Sequence, residues 1–134
     1  MMLKTPIRDD LLYPNETYRI MGVLFDVWNQ IGWGHRERVY QNACAVAFKK
    51  ALIPFKKEVH IPVFYRGEKI SHSLSDFLLF DCIILEIKVR SFFRLGDIRQ
   101  CYRYLKESNM KLAIIAHFTK DGVKFKRIVN IPNN

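Results

Sequence analysis

The chain is 134 residues long and 49% hydrophobic, the size and content of one compact domain with its own core. Its 22 Lys and Arg outnumber 13 Asp and Glu, and the resulting +9, spread along the sequence with no single basic block, favours an anionic partner such as nucleic acid without identifying one. No apolar run approaches the roughly 18 residues needed to span a bilayer, and Met1 to Pro6 lacks the apolar core of a signal peptide, so a soluble protein with no membrane partner is expected.

Residues 1–15 are polar and punctuated by proline, an N-terminal extension ahead of a single domain over 16–134, with Asn15 or Thr17 as a candidate helix cap. Ile20, Val23, Leu24, Val27, Trp28 and Ile31 recur at three- and four-residue intervals and predict an amphipathic helix, interrupted by Gly32-Trp33-Gly34. A second helix is expected from about Arg36 to Leu52, with Val39, Tyr40, Ala43 and Ala47 on one side. After Pro54 the period changes to two: Val59, Ile61 and Val63 alternate with His60, Pro62 and Phe64, a strand that the proline marks as an edge or as bulged. Arg66-Gly67-Glu68 is a turn, Ile70 to Phe80 a second strand, and Ile83 to Val89 a third and the most apolar. A helix from about Leu95 to Glu107 follows, then strands at Leu112–Phe118 and Val123–Val129 joined through Lys120-Asp121-Gly122. The order predicts an α/β fold with a mixed central sheet flanked by helices: an antiparallel three-strand meander, then a parallel strand after a crossover helix. Cys44, Cys82 and Cys101 are odd in number, widely spaced and set among apolar residues. They read as reduced packing residues in a cytoplasmic protein, and neither as a disulfide frame nor as a zinc site.

The chemistry concentrates in Ile83-Ile84-Leu85-Glu86-Ile87-Lys88-Val89, where an acid and a base stand two residues apart in an apolar strand, ten positions after Asp76. Burying an unpaired charge is costly, so such groups are neutralised, paired or used to hold a metal. Glu86 and Lys88 share a face because side chains alternate with period two. Asp76 joins them only if opposed residues have numbers summing to an even value. A two-residue Asp81-Cys82 turn would send Asp76 to the wrong side; an odd-length turn such as Phe80 to Cys82, or a β-bulge, is required. Converged, Asp76 and Glu86 would offer hard oxygen ligands to Mg²⁺ or Mn²⁺, while Lys88 would orient a water or stabilise developing charge. The plainer alternative is a cross-strand salt bridge. Gly34-x-x-Glu37-x-x-Tyr40 and Gln100-x-x-x-Tyr104 each place a polar residue and an aromatic on one helix face.

The run Gly32-Trp33-Gly34-His35-Arg36-Glu37-Arg38-Val39-Tyr40-Gln41-Asn42-Ala43, then Glu58, Tyr65-Arg66-Gly67, Asp76, Leu85-Glu86-Ile87-Lys88, Gln100 to Leu105 and Lys126 to Asn130, resembles the GxxExxY proteins of the PD-(D/E)xK nuclease-like superfamily. The resemblance covers roughly residues 20–130 and implies a restriction-endonuclease-like core. It implies Asp76 and Glu86 as metal ligands, Lys88 as the catalytic lysine, Glu37 as a supporting acid, and Gln100 with Tyr104 at the border of the site. Ser75 stands where the superfamily has a proline, and His117 where an Asn is expected before Phe118. His117 reads as a strand-end histidine satisfied by a neighbour or as a polar residue at the site edge.

Arg90, Arg94, Arg99 and Arg103 cluster just beyond the third strand and on the next helix, as candidate phosphate contacts, with Phe92, Phe93 and Tyr102 among them. The leading expectation is therefore a metal-dependent nuclease-like protein acting on DNA or RNA, which would need a homodimer to cut both strands together. A basic nucleic-acid-binding or regulatory module of the same fold is the alternative. A protein-interaction domain using Trp28, Trp33 and the apolar helix face is a third.

Overall fold

The computed structural model describes residues 12–131, so residues 1–11 of the expected N-terminal extension lie outside the described residues. The elements run α1 (Pro14–Ile31), α2 (Glu37–Lys50), β1 (Phe55–Tyr65), β2 (Glu68–Leu79), β3 (Ile83–Lys88), α3 (Leu95–Ser108), β4 (Leu112–Thr119) and β5 (Gly122–Val129), the order that the periodicities predict. No described helix is long and apolar enough to cross a membrane.

Two local expectations are corrected. Neither Asn15 nor Thr17 is the N-cap of α1: Pro14 occupies its first turn, Tyr13 caps it in the left-handed region, and the Thr17 amide already donates to the Tyr13 carbonyl at 2.9 Å. Proline is pre-set for that position and has no N–H to leave unsatisfied. The inward stripe of α2 is Tyr40, Cys44 and Phe48, while Val39 is 40% exposed. Rings decide the rotation of the helix, because they bury the most area: Tyr40 stacks on Phe118 at 4.4 Å and Phe48 meets Phe77 edge-on at 5.3 Å. The Tyr40 hydroxyl donates to the Gly32 carbonyl at 2.6 Å and so ties α2 back to the end of α1. Trp28 likewise serves the core, its indole N–H donating to the Thr119 carbonyl at 2.7 Å.

The five strands form one sheet in the order β1-β2-β3-β4-β5, antiparallel except for β3 and β4, which run parallel on either side of α3. One face packs Phe77, Leu79, Leu85, Ile87, Ile114 and Phe118 against α1 and α2; the other packs Leu78, Ile84, Ala113 and Ile115 against Cys101, Tyr104 and Leu105 of α3. Covered on both sides, β3 and β4 are continuous apolar runs. Pro62 sits on the edge strand β1, whose register with β2 shifts between Val63 and Phe64.

The β2–β3 connection has three residues. Phe77, Leu78 and Leu79 pair with Leu85, Ile84 and Ile83, an even sum, through Phe80-Asp81-Cys82. Phe80 is drawn out of the ladder because its N–H donates to the Pro54 carbonyl at 2.9 Å, and Phe80 and Asp81 both adopt positive φ, 54° and 58°, to close the turn. Beyond Phe77, β2 leaves β3 and continues against β1 alone.

Candidate active site

The parting of β2 from β3 creates the site. Continued by one residue, the ladder sets Asp76 opposite Glu86, and the Asp76 carboxylate fills the gap by accepting the Ile87 backbone N–H at Oδ2, 2.7 Å away. A buried amide without a partner is costly, so this bond fixes the carboxylate where the strands diverge. Glu86 is 5% exposed, and its Oε1 has no hydrogen-bond partner among the described residues. Lys88 lies half-buried on the same face and forms no ion pair among the described residues, so the simple Glu86–Lys88 bridge is not made.

Glu37, the first residue of α2, reaches this point from the other side of the sheet. One turn later Gln41 donates to Glu37 Oε2 at 3.5 Å and also hydrogen-bonds Asp76, linking the two acids. Burial raises the Glu37 carboxyl above its usual range, against the pull of Lys88, and Asp76 pushes it further. Asp76 is raised by burial too, although the Ile87 amide and Lys88 oppose the shift. Glu86 is pushed up to about 8, first by burial and then by Asp76, with Lys88 opposing. Three carboxyls thus feel one lysine, and the deepest has an oxygen with no hydrogen-bond partner among the described residues.

That arrangement fits a hard divalent cation, which prefers oxygen ligands and would relieve both the crowding and the orphaned oxygen. The described residues contain no cluster of three or more His, Cys, Asp and Glu arranged for a metal. Asp76 and Glu86 would therefore supply two positions and leave the others to water and substrate, as Mg²⁺ commonly allows. A groove of about 200 Å³ lined by Arg38, Gln41, Lys57, Glu58, Ser75 and Asp76 opens beside the Asp76 carboxylate, with Arg38 paired to Glu58 at 3.2 Å. A cleft of about 800 Å³ between α1 and α2 is lined by residues of those helices and the start of the next segment, with none of Glu37, Asp76 and Glu86 among them.

From α3, Tyr104 donates to the Leu74 carbonyl at 3.4 Å and braces β2 beside Asp76; burial raises its hydroxyl to about 12. Gln100 is half-buried and hydrogen-bonds none of Asp76, Glu86 and Lys88. Arg90 is committed to Asp97 at 2.7 Å, whereas Arg94, Arg99 and Arg103 are exposed. His117 pairs in register with Lys88, so it shares that face. It is fully buried, stacked on Phe93 at 4.0 Å, with Nδ1 against the Arg90 carbonyl at 3.1 Å and Nε2 without a partner among the described residues. A carbonyl only accepts, so Nδ1 carries the proton and a neutral ring presents the lone pair of Nε2. Burial lowers this ring's pKa. His117 is thus half satisfied, between the two sequence readings. Gln41 was the residue missed, although its i, i+4 spacing from Glu37 was the signal. His60 and His72 face each other at 4.6 Å on the β1–β2 ribbon, with both side chains exposed.

The family model described as the PD-(D/E)XK nuclease superfamily matches residues 14–128. Among solved structures, the fold is similar to the crystal structure of SSO0001, with TM-score 0.56 and 17% identity over 72% of this chain and 50% of that one. It is also similar to an alkaline exonuclease, LHK-Exo from Laribacter hongkongensis, with TM-score 0.53 and 10% identity over 90% of this chain and 72% of that one. The chain spans about half the length of SSO0001, and at these identities the likeness is one of fold. No curated protein sequence matches it.

Proposed function

The chain belongs to the PD-(D/E)XK nuclease superfamily, and on that premise we propose that it is a divalent-metal-dependent nuclease hydrolysing phosphodiester bonds at a site made by Asp76, Glu86 and Lys88. The resemblance of the ordered motifs from Gly32 to Asn130 to the GxxExxY proteins of that superfamily supports the finer reading, a member of that group acting as one domain over 16–134 in the cytoplasm. The observation that carries the reading is the buried Oε1 of Glu86, opposite Asp76 and without a hydrogen-bond partner among the described residues, which an apolar strand would otherwise have no reason to keep.

Mg²⁺ or Mn²⁺ held by Asp76 and Glu86 would supply Lewis-acid polarisation of the phosphate and a lowered pKa for the attacking water. The residues do the rest. Lys88, half-buried and without an ion pair among the described residues, holds the water and stabilises charge gathering on the phosphate oxygens. The Ile87 amide and Gln41 fix the orientation of Asp76, while Glu37 adds negative charge that favours cation uptake. Tyr104 steadies β2, and the half-buried Gln100 borders the substrate. Arg94, Arg99 and Arg103 are the phosphate contacts; Arg90 instead anchors the start of α3 through Asp97. Cutting both strands of a duplex together would take two copies of this site.

Titrating Mn²⁺ into metal-free protein by calorimetry at pH 7 tests the ligand set. Binding by the parent should release protons, because Glu86 is held protonated until the cation arrives. Glu86→Gln should bind at least about tenfold more weakly and release fewer protons. Undiminished binding by Glu86→Gln would remove it from the metal site.

A further inference from the structure

The segment that leaves Lys88 and the outer side of α3 carry a feature that neither the core nor the carboxylate site uses. From Ser91 to Lys106 every exposed charged side chain is a cation, Arg94, Arg99, Arg103 and Lys106, and the exposed acid of α3, Glu107, comes only after them in its last turn. The one acid in that span, Asp97, is turned inward on Arg90. None of the four cations forms an ion pair among the described residues. Two aromatic rings stand in the same surface, Phe92 at 56% exposure and Tyr102 at 42%. Each lies under a cation: the Arg94 guanidinium is 5.6 Å from the Phe92 centroid, and the Lys106 ammonium 5.7 Å from that of Tyr102. Leu95, Arg99, Tyr102 and Lys106 follow at i, i+4, i+7 and i+11, which draws them into one stripe along the helix. Cys101, Tyr104 and Leu105 fill the inward side of α3, so the core packing leaves the exposed rings unused.

We propose that this stripe binds a single strand of nucleic acid, with bases stacked on Phe92 and Tyr102 and phosphates on the interleaved cations, and leads it to the carboxylates. Its direction rests on the nuclease reading of the site; the binding does not. A ring on a convex, basic helix can take a base only when that base is unpaired, because a duplex offers such a surface phosphates and groove edges alone. From Leu95 to Lys106 the helix rises about 17 Å, room for about five nucleotides at roughly 3.4 Å each. Single-strand sites built from basic grooves and stacking rings cover about that number or more.

Fluorescence anisotropy with the full chain in EDTA tests it, using a labelled single-stranded DNA, the same sequence as RNA, and the DNA duplex, with polyglutamate as competitor. The single strands should bind more tightly than the duplex. Phe92→Ala and Tyr102→Ala should each weaken single-strand binding about tenfold and leave the duplex unaffected. Arg99→Ala should weaken both and reduce the salt slope by about one. Both rings are exposed, so thermal unfolding followed by circular dichroism should match the parent. The proposal is overturned if the ring variants bind single strands as the parent does, if they lose single strand and duplex alike, or if polyglutamate competes as well as unlabelled single strand. A chain that binds single strands as expected yet cuts nothing in Mg²⁺ sinks the nuclease reading and leaves the stripe standing.

Discussion

Lys88→Ala is expected to slow phosphodiester cleavage by about 10²–10³-fold while leaving nucleic-acid binding within a few fold. That is the range for deleting one group that stabilises charge appearing in the transition state. The distinction between rate and binding matters, because Lys88 has no ion-pair partner among the described residues whose loss would disturb the fold and is only half-buried. A surface lysine that merely attracted phosphate would show the opposite pattern, with weaker binding and an unchanged single-turnover rate. Lys88→Arg would restore the charge with a bulkier, planar group and should recover little of the rate.

Glu86→Gln is expected to stabilise the metal-free protein at alkaline pH. Folding raises the Glu86 carboxyl from its ordinary 4.5 to about 8, so the native state holds a proton that the unfolded chain releases. Stability from this group is therefore full below about pH 4.5 and is lost as pH rises through 8. The window from pH 6.5 to 8 lies above the range in which the lowered pKa of His117 acts with the opposite sign, costing stability as pH falls, and below the range in which the raised thiols of Cys44, Cys82 and Cys101 would cost stability as pH rises. Across that window the metal-free parent should lose about 2 kcal/mol, at 1.36 kcal/mol per pH unit up to the folded pKa. The loss should be visible in urea unfolding at each pH. The variant, neutral throughout, should be nearly flat, and Mg²⁺ should return much of the lost stability to the parent only. A parent curve as flat as that of the variant would mean that Glu86 is ionised and paired in the native state.

The order of elements was legible because each segment has a clean period: Ile20 to Ile31 at three and four, Val59 to Val63 at two, and the doubly covered β3 and β4 as unbroken apolar runs. The condition on the β2–β3 turn was legible too, since strand parity is arithmetic. Which turn forms was not. It depends on the Phe80 amide reaching the Pro54 carbonyl across β1, a contact with no local signature. The rotation of α2 escaped for a similar reason, because Val39, Ala43 and Ala47 satisfy helical spacing as well as Tyr40, Cys44 and Phe48 do. Phe77 and Phe118 decide between them from distant parts of the chain.

At the site, Asp76, Glu86 and Lys88 were visible as charge where an apolar strand should have none. Gln41 was hidden because an amide one turn along a helix is ordinary until its partner, Asp76, arrives from another element. His117 was ambiguous because its two nitrogens have different fates, one against the Arg90 carbonyl and the other buried without a partner among the described residues, beside the register position of Lys88. Arg90 looked like its neighbours in sequence, yet its proximity to Asp97 removes it from the exposed basic surface.

The most direct test of a metal-dependent hydrolytic centre at Asp76, Glu86 and Lys88 is the cleavage rate of single-stranded and duplex oligonucleotides against Mg²⁺ concentration, with parent and Glu86→Ala purified side by side. The parent should cut in Mg²⁺ and Mn²⁺, stop in EDTA, and exceed Glu86→Ala by at least about 10²-fold. Equal rates for parent and variant, or no cleavage by a folded parent that binds the same oligonucleotides, would contradict it.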